Sequence, residues 1–139
     1  MKKQSWRAPI LNRHGAAELV AEIVQQRSGS PMCLTCSFQA EDMVVLHLLR
    51  KFVPSVPMVF LETGYHFGET YRFRDQIAAE WNLNLVNATA KRTVAQQETE
   101  FGILYREDPA ECCQLRKVEP LMHALEPFAI WFTGSTKAI

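Results

Sequence analysis

Hydrophobic residues follow two spacings along the chain, and each spacing predicts a different element. In AAELVAEIVQQR the apolar residues recur at helical intervals, which predicts an amphipathic helix over 16–27. Short apolar runs with little polar interruption indicate buried strands instead. Such runs are MCLTCS at 32–37, MVFLET at 58–63, LNLVNA at 83–88 and AIWFTG at 129–134.

Segments with helical spacing separate these strands. Helices are predicted for EDMVVLHLLRKF at 41–52, for ETYRFRDQIAAEW from Glu69 and for KRTVAQQETEF at 91–101, with a loop over 102–108. Pro109 suits the first turn of another helix, and Pro120 is expected to kink or restart that helix. Strands that alternate with helices predict an α/β fold, a parallel sheet with helices on both faces. Such sheets bind ligands beyond the carboxyl ends of their strands.

Length and composition predict one domain over 1–139. With 47% hydrophobic residues, a chain of 139 residues can bury a core of its own. Fifteen basic residues balance fifteen acidic ones, which leaves no net field to hold nucleic acid or an anionic membrane. The N-terminal residues contain no signal-peptide pattern and the run MVVLHLL is too short to span a bilayer, so a cytoplasmic protein is expected. In that reducing compartment, four cysteines argue against structural disulfides.

The first candidate site is the stretch CSFQAEDMVVLH, at the end of the first predicted strand. A hydroxyl from Ser37 and free N–H groups at the following helix N-terminus can receive a phosphate. The carboxylates of Glu41 and Asp42 repel phosphate unless they cap the helix or face a ribose. An ordinary helix N-cap at Ser37 or Asp42 is the competing interpretation.

The second candidate site is FLETGYHFGETYRF, after the second predicted strand. Gly64 and Gly68 allow close approach of a ligand to the backbone, and the aromatic residues 65–67 could sandwich a planar base. The alternative is a surface turn whose aromatic residues fold into the core.

The third candidate site is the pair Cys112 and Cys113. Adjacent residues on a helix diverge by about 100°, so two such thiols share one object only if it is large or the helix is strained. A zinc ion seldom uses adjacent ligands, and a disulfide between neighbours is strained. An iron–sulfur cluster is larger, and cations such as Arg116 and Lys117 would stabilise its thiolates. Two small apolar residues in a core are the alternative.

Together these motifs resemble the N-terminal part of a known family. The segments SFQAEDMVVLHLL, LETGYHFGETYRFRDQIA, YREDPAECCQLRKVEPLMHAL and AIWFTG, in this order, are similar to the thioredoxin-dependent sulfonucleotide reductases of assimilatory sulfate reduction. The resemblance covers about residues 30–134 and implies a Rossmann-like fold of the adenine-nucleotide α-hydrolase type. These enzymes reduce adenylyl sulfate, or phosphoadenylyl sulfate, to sulfite, with thioredoxin or glutaredoxin as the electron donor.

The resemblance also implies roles for individual residues. The implied substrate contacts are Ser37, Phe38, Gln39, Glu41 and Asp42 in the first loop, Leu61, Glu62, Thr63 and Gly64 in the second, and Thr133 and Gly134 after the last strand. Cys112 and Cys113 would be two of the four ligands of a [4Fe-4S] cluster, and Lys117 would link cluster and substrate electrostatically. The cysteine pair favours adenylyl sulfate as substrate. Gln39 stands where the family often has glycine, which could tighten or redirect the phosphate contact.

The chain also departs from the family pattern. The second cysteine pair and the attacking cysteine of the family lie beyond the point where this chain ends with STKAI. The resemblance therefore implies an incomplete, C-terminally truncated domain that is inactive alone as a reductase. Cys33 and Cys36 are expected to lie in the core, because residues three apart on a strand point to opposite faces and cannot replace the missing pair.

Two other function classes remain open from the sequence. One is a non-catalytic adenylate-binding paralogue. The other is a related ATP-using α-hydrolase-like enzyme, although such enzymes usually carry an SGGxDS loop that this chain does not have. The oligomeric state is also open, and a homo-oligomer is one possibility.

Overall fold

The fold is known from a computed structural model that describes residues 15–134. Expectations drawn from the first 14 residues and from the final STKAI segment lie outside the described residues. The helices are α1 (Ala16–Gln26), α2 (Ala40–Arg50), α3 (Gly68–Glu80), α4 (Val94–Phe101), α5 (Leu104–Glu107), α6 (Pro109–Cys113) and α7 (Glu119–Leu125), with a π-helical segment (Gln114–Val118) between the last two. The strands are β1 (Met32–Thr35), β2 (Pro57–Glu62), β3 (Asn84–Thr89) and β4 (Ile130–Thr133). Within the described part of the chain, no helix combines the length and the apolar character needed to cross a membrane.

The strands form one parallel sheet in the order β3-β2-β1-β4. In β1, Leu34 lies opposite Met58 of β2 on one side and opposite Phe132 of β4 on the other. The chain runs outward from β1 through β2 to β3 and then returns to the far side of β1. The strand order therefore reverses between β1 and β4, and open α/β sheets bind ligands at such a switch point.

Helices cover both faces of the sheet, as the sequence predicts. All four residues of β1 are buried, which is typical of a parallel strand covered on both sides. Cys36 belongs to an apolar cluster that includes Leu46 of α2. Cys33 belongs to a second cluster, with Leu121 and Leu125 of α7. Each cluster is the contact between one face of the sheet and its helices.

Several predicted boundaries shift for local reasons. The first strand ends at Thr35 and not at Ser37, because the chain turns sharply at Phe38, whose φ is +64°. The helix predicted from Lys91 begins at Val94, where Thr93 and Gln96 form a capping box. The predicted loop over 102–108 contains the short helix α5.

Pro120 lies in the first turn of α7, directly after the π-helical segment, so an α-helix restarts at this proline. Proline has no N–H to bond the carbonyl four residues earlier, and its ring crowds that carbonyl. The preceding residues adopt a π-helical turn, which takes one residue more than an α-helical turn. Helical backbone continues on both sides, at Cys113 and at Val118.

Candidate functional site

Three loops that the sequence singled out meet at one edge of the sheet. Residues 36–39 follow β1, Thr63 and Gly64 follow β2, and Gly134 follows β4. These strands are neighbours and parallel, so their carboxyl ends lie side by side. The predicted substrate-binding segments therefore converge at the switch point, although they are far apart in sequence.

Asp42 clamps two of these loops together. Its side chain is buried, and Oδ2 accepts hydrogen bonds from the backbone N–H of Ser37 at 2.7 Å and from the Ser37 hydroxyl at 2.6 Å. Oδ1 accepts a third bond, from the backbone N–H of Gly134 at 3.2 Å. Asp42 is not a helix N-cap, since Gln39 occupies that position. The structure thus uses this carboxylate inside the protein, whereas the sequence predicted a ligand contact.

Gly134 lies against the start of α2. A Cβ atom at this position would stand 2.8 Å from the backbone nitrogen and Oδ1 of Asp42, and equally close to the carbonyl carbon of Glu41. Real Cβ atoms do not approach backbone this closely, so only glycine allows β4 to end here. The hydrogen bond to Asp42 depends on this close approach.

The start of α2 is left open for an anion. Gln39 makes no side-chain cap, so the first-turn N–H groups of the helix receive no help from it. Ser37, Gln39 and Glu41 are exposed, while Phe38 packs with its ring centroid 5.8 Å from that of Phe60. Because the Asp42 charge is satisfied by three donors, Glu41 is the exposed carboxylate at this uncapped helix N-terminus, whose N–H groups can receive a phosphate.

Glu62 and Thr63 shape the loop after β2. Glu62 accepts hydrogen bonds from the Gly64 N–H at 2.9 Å and from the Tyr71 hydroxyl at 2.5 Å, and it pairs with Arg74 at 3.2 Å. The Thr63 hydroxyl accepts a hydrogen bond from the backbone N–H of Tyr65. Both side chains were predicted as substrate contacts. In the structure their polar atoms hold the loop, and the Gly64 backbone is exposed.

The aromatic residues of this loop divide between core and solvent. The His66 ring nitrogen lies 2.8 Å from the carbonyl oxygen of Leu61, and its ring centroid is 5.0 Å from that of Phe60. Phe67 is 81% exposed. The rings of Tyr65 and Tyr105 are 5.4 Å apart. The core interpretation therefore holds for His66, and a base sandwiched by all three residues is not prearranged.

Cys112 and Cys113 lie at the end of α6, next to the π-helical segment. Cys112 is buried and Cys113 half-buried. The amide of Gln97, itself 1% exposed, donates to the Cys112 sulfur at 3.8 Å. Gln97 was not among the residues predicted from the sequence, where its only signal is an amide on the inward face of an amphipathic helix.

The pair fits half of a cluster's ligand set. Two adjacent thiols and an N–H···S donor suit a bound iron–sulfur group, which needs four protein ligands. Within residues 15–134, however, no three His, Cys, Asp or Glu side chains come together as a metal site. The described residues therefore supply two of the required thiolates at most.

The two cations predicted beside the thiols have different environments. Lys117 is exposed. Arg116 is buried and donates to the carbonyl oxygens of Thr63 and Arg92, at 2.8 and 2.5 Å. Only Lys117 is thus available to a ligand in the way that the sequence predicted.

Cys33 and Cys36 face opposite sides of the sheet, which confirms the prediction from strand geometry. Burial raises the pKa of each thiol to about 12. For Cys36 the N–H of Phe38 opposes this rise, and the Asp42 charge adds to it. Neither thiol is suited to act as a nucleophile or as a shared metal ligand.

Alkylation should distinguish these thiols from the cysteine pair. Because the thiolate is the reactive form, iodoacetamide at pH 8.5 should leave Cys33 and Cys36 unmodified in the folded protein, as their pKa of about 12 lies far above that pH. In urea both should react, since their pKa returns toward 9.0. Cys113 is the internal control, because it is only half-buried. Peptide mass spectrometry reads all sites at once, and equal labelling of Cys33 and Cys113 in the native protein would contradict the assignment.

The raised pKa values of Cys33 and Cys36 also make the free energy of unfolding depend on pH. Above about pH 9 the unfolded thiols ionise, while those of folded Cys33 and Cys36 stay protonated until about pH 12. The folded state then binds more protons than the unfolded state, so the free energy of unfolding falls as pH rises through this window.

Comparison with known proteins places the chain in a family. Residues 31–138 match the phosphoadenosine phosphosulfate reductase domain. An adenosine 5'-phosphosulfate reductase of Streptomyces coelicolor is 45% identical over 107 residues, which are 76% of this chain and 44% of that protein. One from a Chelativorans species is 39% identical over 124 residues, 87% of this chain and 51% of that protein. The chain spans about half the length of these curated relatives.

A solved structure supports the fold. The phosphoadenylyl-sulfate reductase of Candida auris, in a phosphate complex, superposes with a TM-score of 0.73 at 21% sequence identity. The match covers 91% of this chain and 63% of that one. It confirms the Rossmann-like α/β architecture predicted from the sequence. Because the family match spans most of its length, the chain belongs to the phosphoadenosine phosphosulfate reductase domain family.

Proposed function

We propose that this chain binds adenylyl sulfate, or phosphoadenylyl sulfate, as part of an assimilatory sulfonucleotide reductase. The observation that carries the proposal is the convergence of the three loops at the β1/β4 switch point in a member of this family. The names of the similar curated proteins favour adenylyl sulfate, and so does the cysteine pair.

The geometry suggests how the nucleotide is held. The phosphate lies at the uncapped N-terminus of α2, where Ser37, Gln39 and Glu41 are exposed. The adenosine lies along the exposed Gly64 backbone and near Thr133. Asp42, Glu62 and Gly134 hold these loops in position and do not themselves contact the ligand.

The reaction proposed for the complete enzyme is a thiol displacement at sulfur. A thiolate attacks the sulfur of the bound sulfonucleotide, the bond from sulfur to the bridging phosphate oxygen breaks, and the nucleotide leaves. A thiolate of thioredoxin or glutaredoxin then attacks the enzyme sulfur and releases sulfite. The second thiolate of the donor attacks the resulting mixed disulfide and frees the enzyme thiolate, so oxidation of the donor's two thiols to a disulfide supplies the two electrons.

None of the four cysteines of this chain suits the attacking role. Cys33 and Cys36 are buried in the core with raised pKa values. We assign Cys112 and Cys113 as two ligands of a [4Fe-4S] cluster. When bound, that group would supply a compact, charged partner for the site, and Lys117 is the exposed cation beside it. A cytoplasmic location suits such thiol chemistry.

Binding and turnover assays test this proposal separately. Calorimetry with adenosine monophosphate should show saturable binding to the 139-residue chain, and ATP should bind more weakly. Adenylyl sulfate plus reduced thioredoxin should give no sulfite with this chain alone, because it lacks a suitable nucleophile. Absence of adenylate binding would overturn the substrate assignment. Sulfite production would overturn the cysteine assignments, and pyrophosphate release from ATP would favour the ATP-using class.

A non-catalytic adenylate-binding protein is the second candidate function. The observation that favours it is that Cys33, Cys36 and Cys112 are buried and Cys113 is half-buried, which leaves none of them fully open to a substrate. Adenylate binding by a chain that assembles no iron–sulfur cluster after incubation with iron and sulfide would favour this candidate over the reductase.

A further inference from the structure

Arg116 is a buried cation bonded to backbone and not to a carboxylate. It is 5% exposed, and no carboxylate among residues 15–134 forms an ion pair with it. Its Nε donates to the carbonyl oxygen of Thr63 at 2.8 Å, and Nη1 donates to that of Arg92 at 2.5 Å. A buried charge is costly unless its donors are satisfied, so such a residue is informative.

The third guanidinium nitrogen also points to the loop after β2. Nη2 lies 3.1 Å from the position that a Cβ atom of Gly64 would occupy. One planar group thus contacts the end of β2, the exposed turn at Gly64 and the connection between β3 and α4. Arginine can do this because its donors form a rigid fork, whereas a lysine ammonium is a single point of charge.

The π-helical segment places Arg116 in this position. Arg116 lies inside the π-helical segment, between buried Cys112 on one side and buried Pro120, Leu121 and Leu125 on the other. A π-helical turn takes one residue more than an α-helical turn, so it shifts by one position the residues that face the sheet after it. The widened turn therefore keeps both the cysteine side and the α7 side of the helix against the protein, with Arg116 between them.

We propose that Arg116 is a positioning residue that fixes the Thr63–Gly64 loop relative to the helix that carries Cys112 and Cys113. This inference rests on the proposed function in so far as that loop holds the adenosine. The guanidinium of Arg116 joins the loop on the nucleotide side of the site to the helix on the cysteine side. Disturbing its hydrogen bonds should therefore loosen the loop and weaken adenylate binding while the sheet stays intact.

The test replaces the fork but keeps the charge. In Arg116→Lys we expect adenosine monophosphate to bind about tenfold more weakly, the loss typical of one charge-assisted hydrogen bond. Amide hydrogen exchange at Gly64 and Tyr65, measured by NMR below the unfolding transition, should be about tenfold faster for the same reason. The amide of Leu34 in β1 should exchange at an unchanged rate. Arg27→Lys, the same substitution at an exposed residue, is the matched control.

The outcomes separate this inference from the proposed function. Arg116→Lys with wild-type exchange at Gly64 and Tyr65 would overturn the positioning role, whatever the nucleotide result. Faster exchange at both amides with unchanged adenylate affinity would confine the role of Arg116 to the fold and would also overturn it. If the wild-type chain does not bind adenosine monophosphate, the proposed function fails, and the exchange rates still decide whether Arg116 positions the loop.

Discussion

Replacing Asp42 by alanine should lower the free energy of unfolding by about 3 kcal/mol, because three donors lose a buried, charged acceptor. These donors are the N–H and hydroxyl of Ser37 and the N–H of Gly134. The loss should also separate the end of β4 from the start of α2, and adenylate binding should fall with it. Urea denaturation followed by circular dichroism measures the stability, and calorimetry below the transition measures the affinity.

Two further variants make the Asp42 test specific. Asp42→Asn keeps the size of the side chain but offers only one acceptor oxygen, so its stability loss should be about half that of alanine. Glu41→Ala removes a neighbouring exposed carboxylate in the same helical turn and should change stability by less than about 1 kcal/mol. If the Asp42 and Glu41 alanine variants lost similar amounts of stability, the negative charge at this helix end would account for the effect. The hydrogen bonds of Asp42 to Ser37 and Gly134 would then not account for it.

The sequence was sufficient to predict the fold because its local signals agree. β1 is a short apolar run and is buried on both faces. The cysteines at 33 and 36 separated to the two faces, as the period of a strand requires. The capping box of Thr93 and Gln96 starts α4 three residues later than the hydrophobic spacing alone predicts.

The site was predicted less completely than the fold, because a residue type does not say whether its side chain points toward a ligand or into the protein. The three loops lie at one edge of the sheet, since parallel strands bring their carboxyl ends together. A carboxylate near a phosphate loop has the same sequence signature whether it faces a ligand or, like Asp42, turns inward. Likewise, adjacent basic residues on a helix gave no sign that Arg116 is buried and Lys117 exposed.

Replacing Gly64 by alanine should have the other large effect, a loss of about 4 kcal/mol in the free energy of unfolding from backbone strain plus a steric clash. Gly64 has a φ of +82°, and a Cβ atom there would stand 2.5 Å from Cγ2 of Val94. It would also stand 3.1 Å from Nη2 of Arg116, which two hydrogen bonds prevent from moving freely. Thermal and urea unfolding measure the loss, and adenylate affinity should decrease with it.

The variant Gly29→Ala separates backbone strain from steric clash as causes of the stability loss in Gly64→Ala. Its φ is +89°, but a Cβ atom there would meet nothing within 4 Å. Gly29→Ala should therefore cost only the backbone strain, about 1 kcal/mol. The remainder at Gly64, about 3 kcal/mol, is the clash with Val94 and Arg116, and Val94→Ala should relieve the larger part, so that Gly64→Ala costs about 2 kcal/mol less in that background. Equal losses at the two glycines would mean that the loop after β2 yields to a methyl group, and a loop that yields so easily is not held by Arg116 and α4.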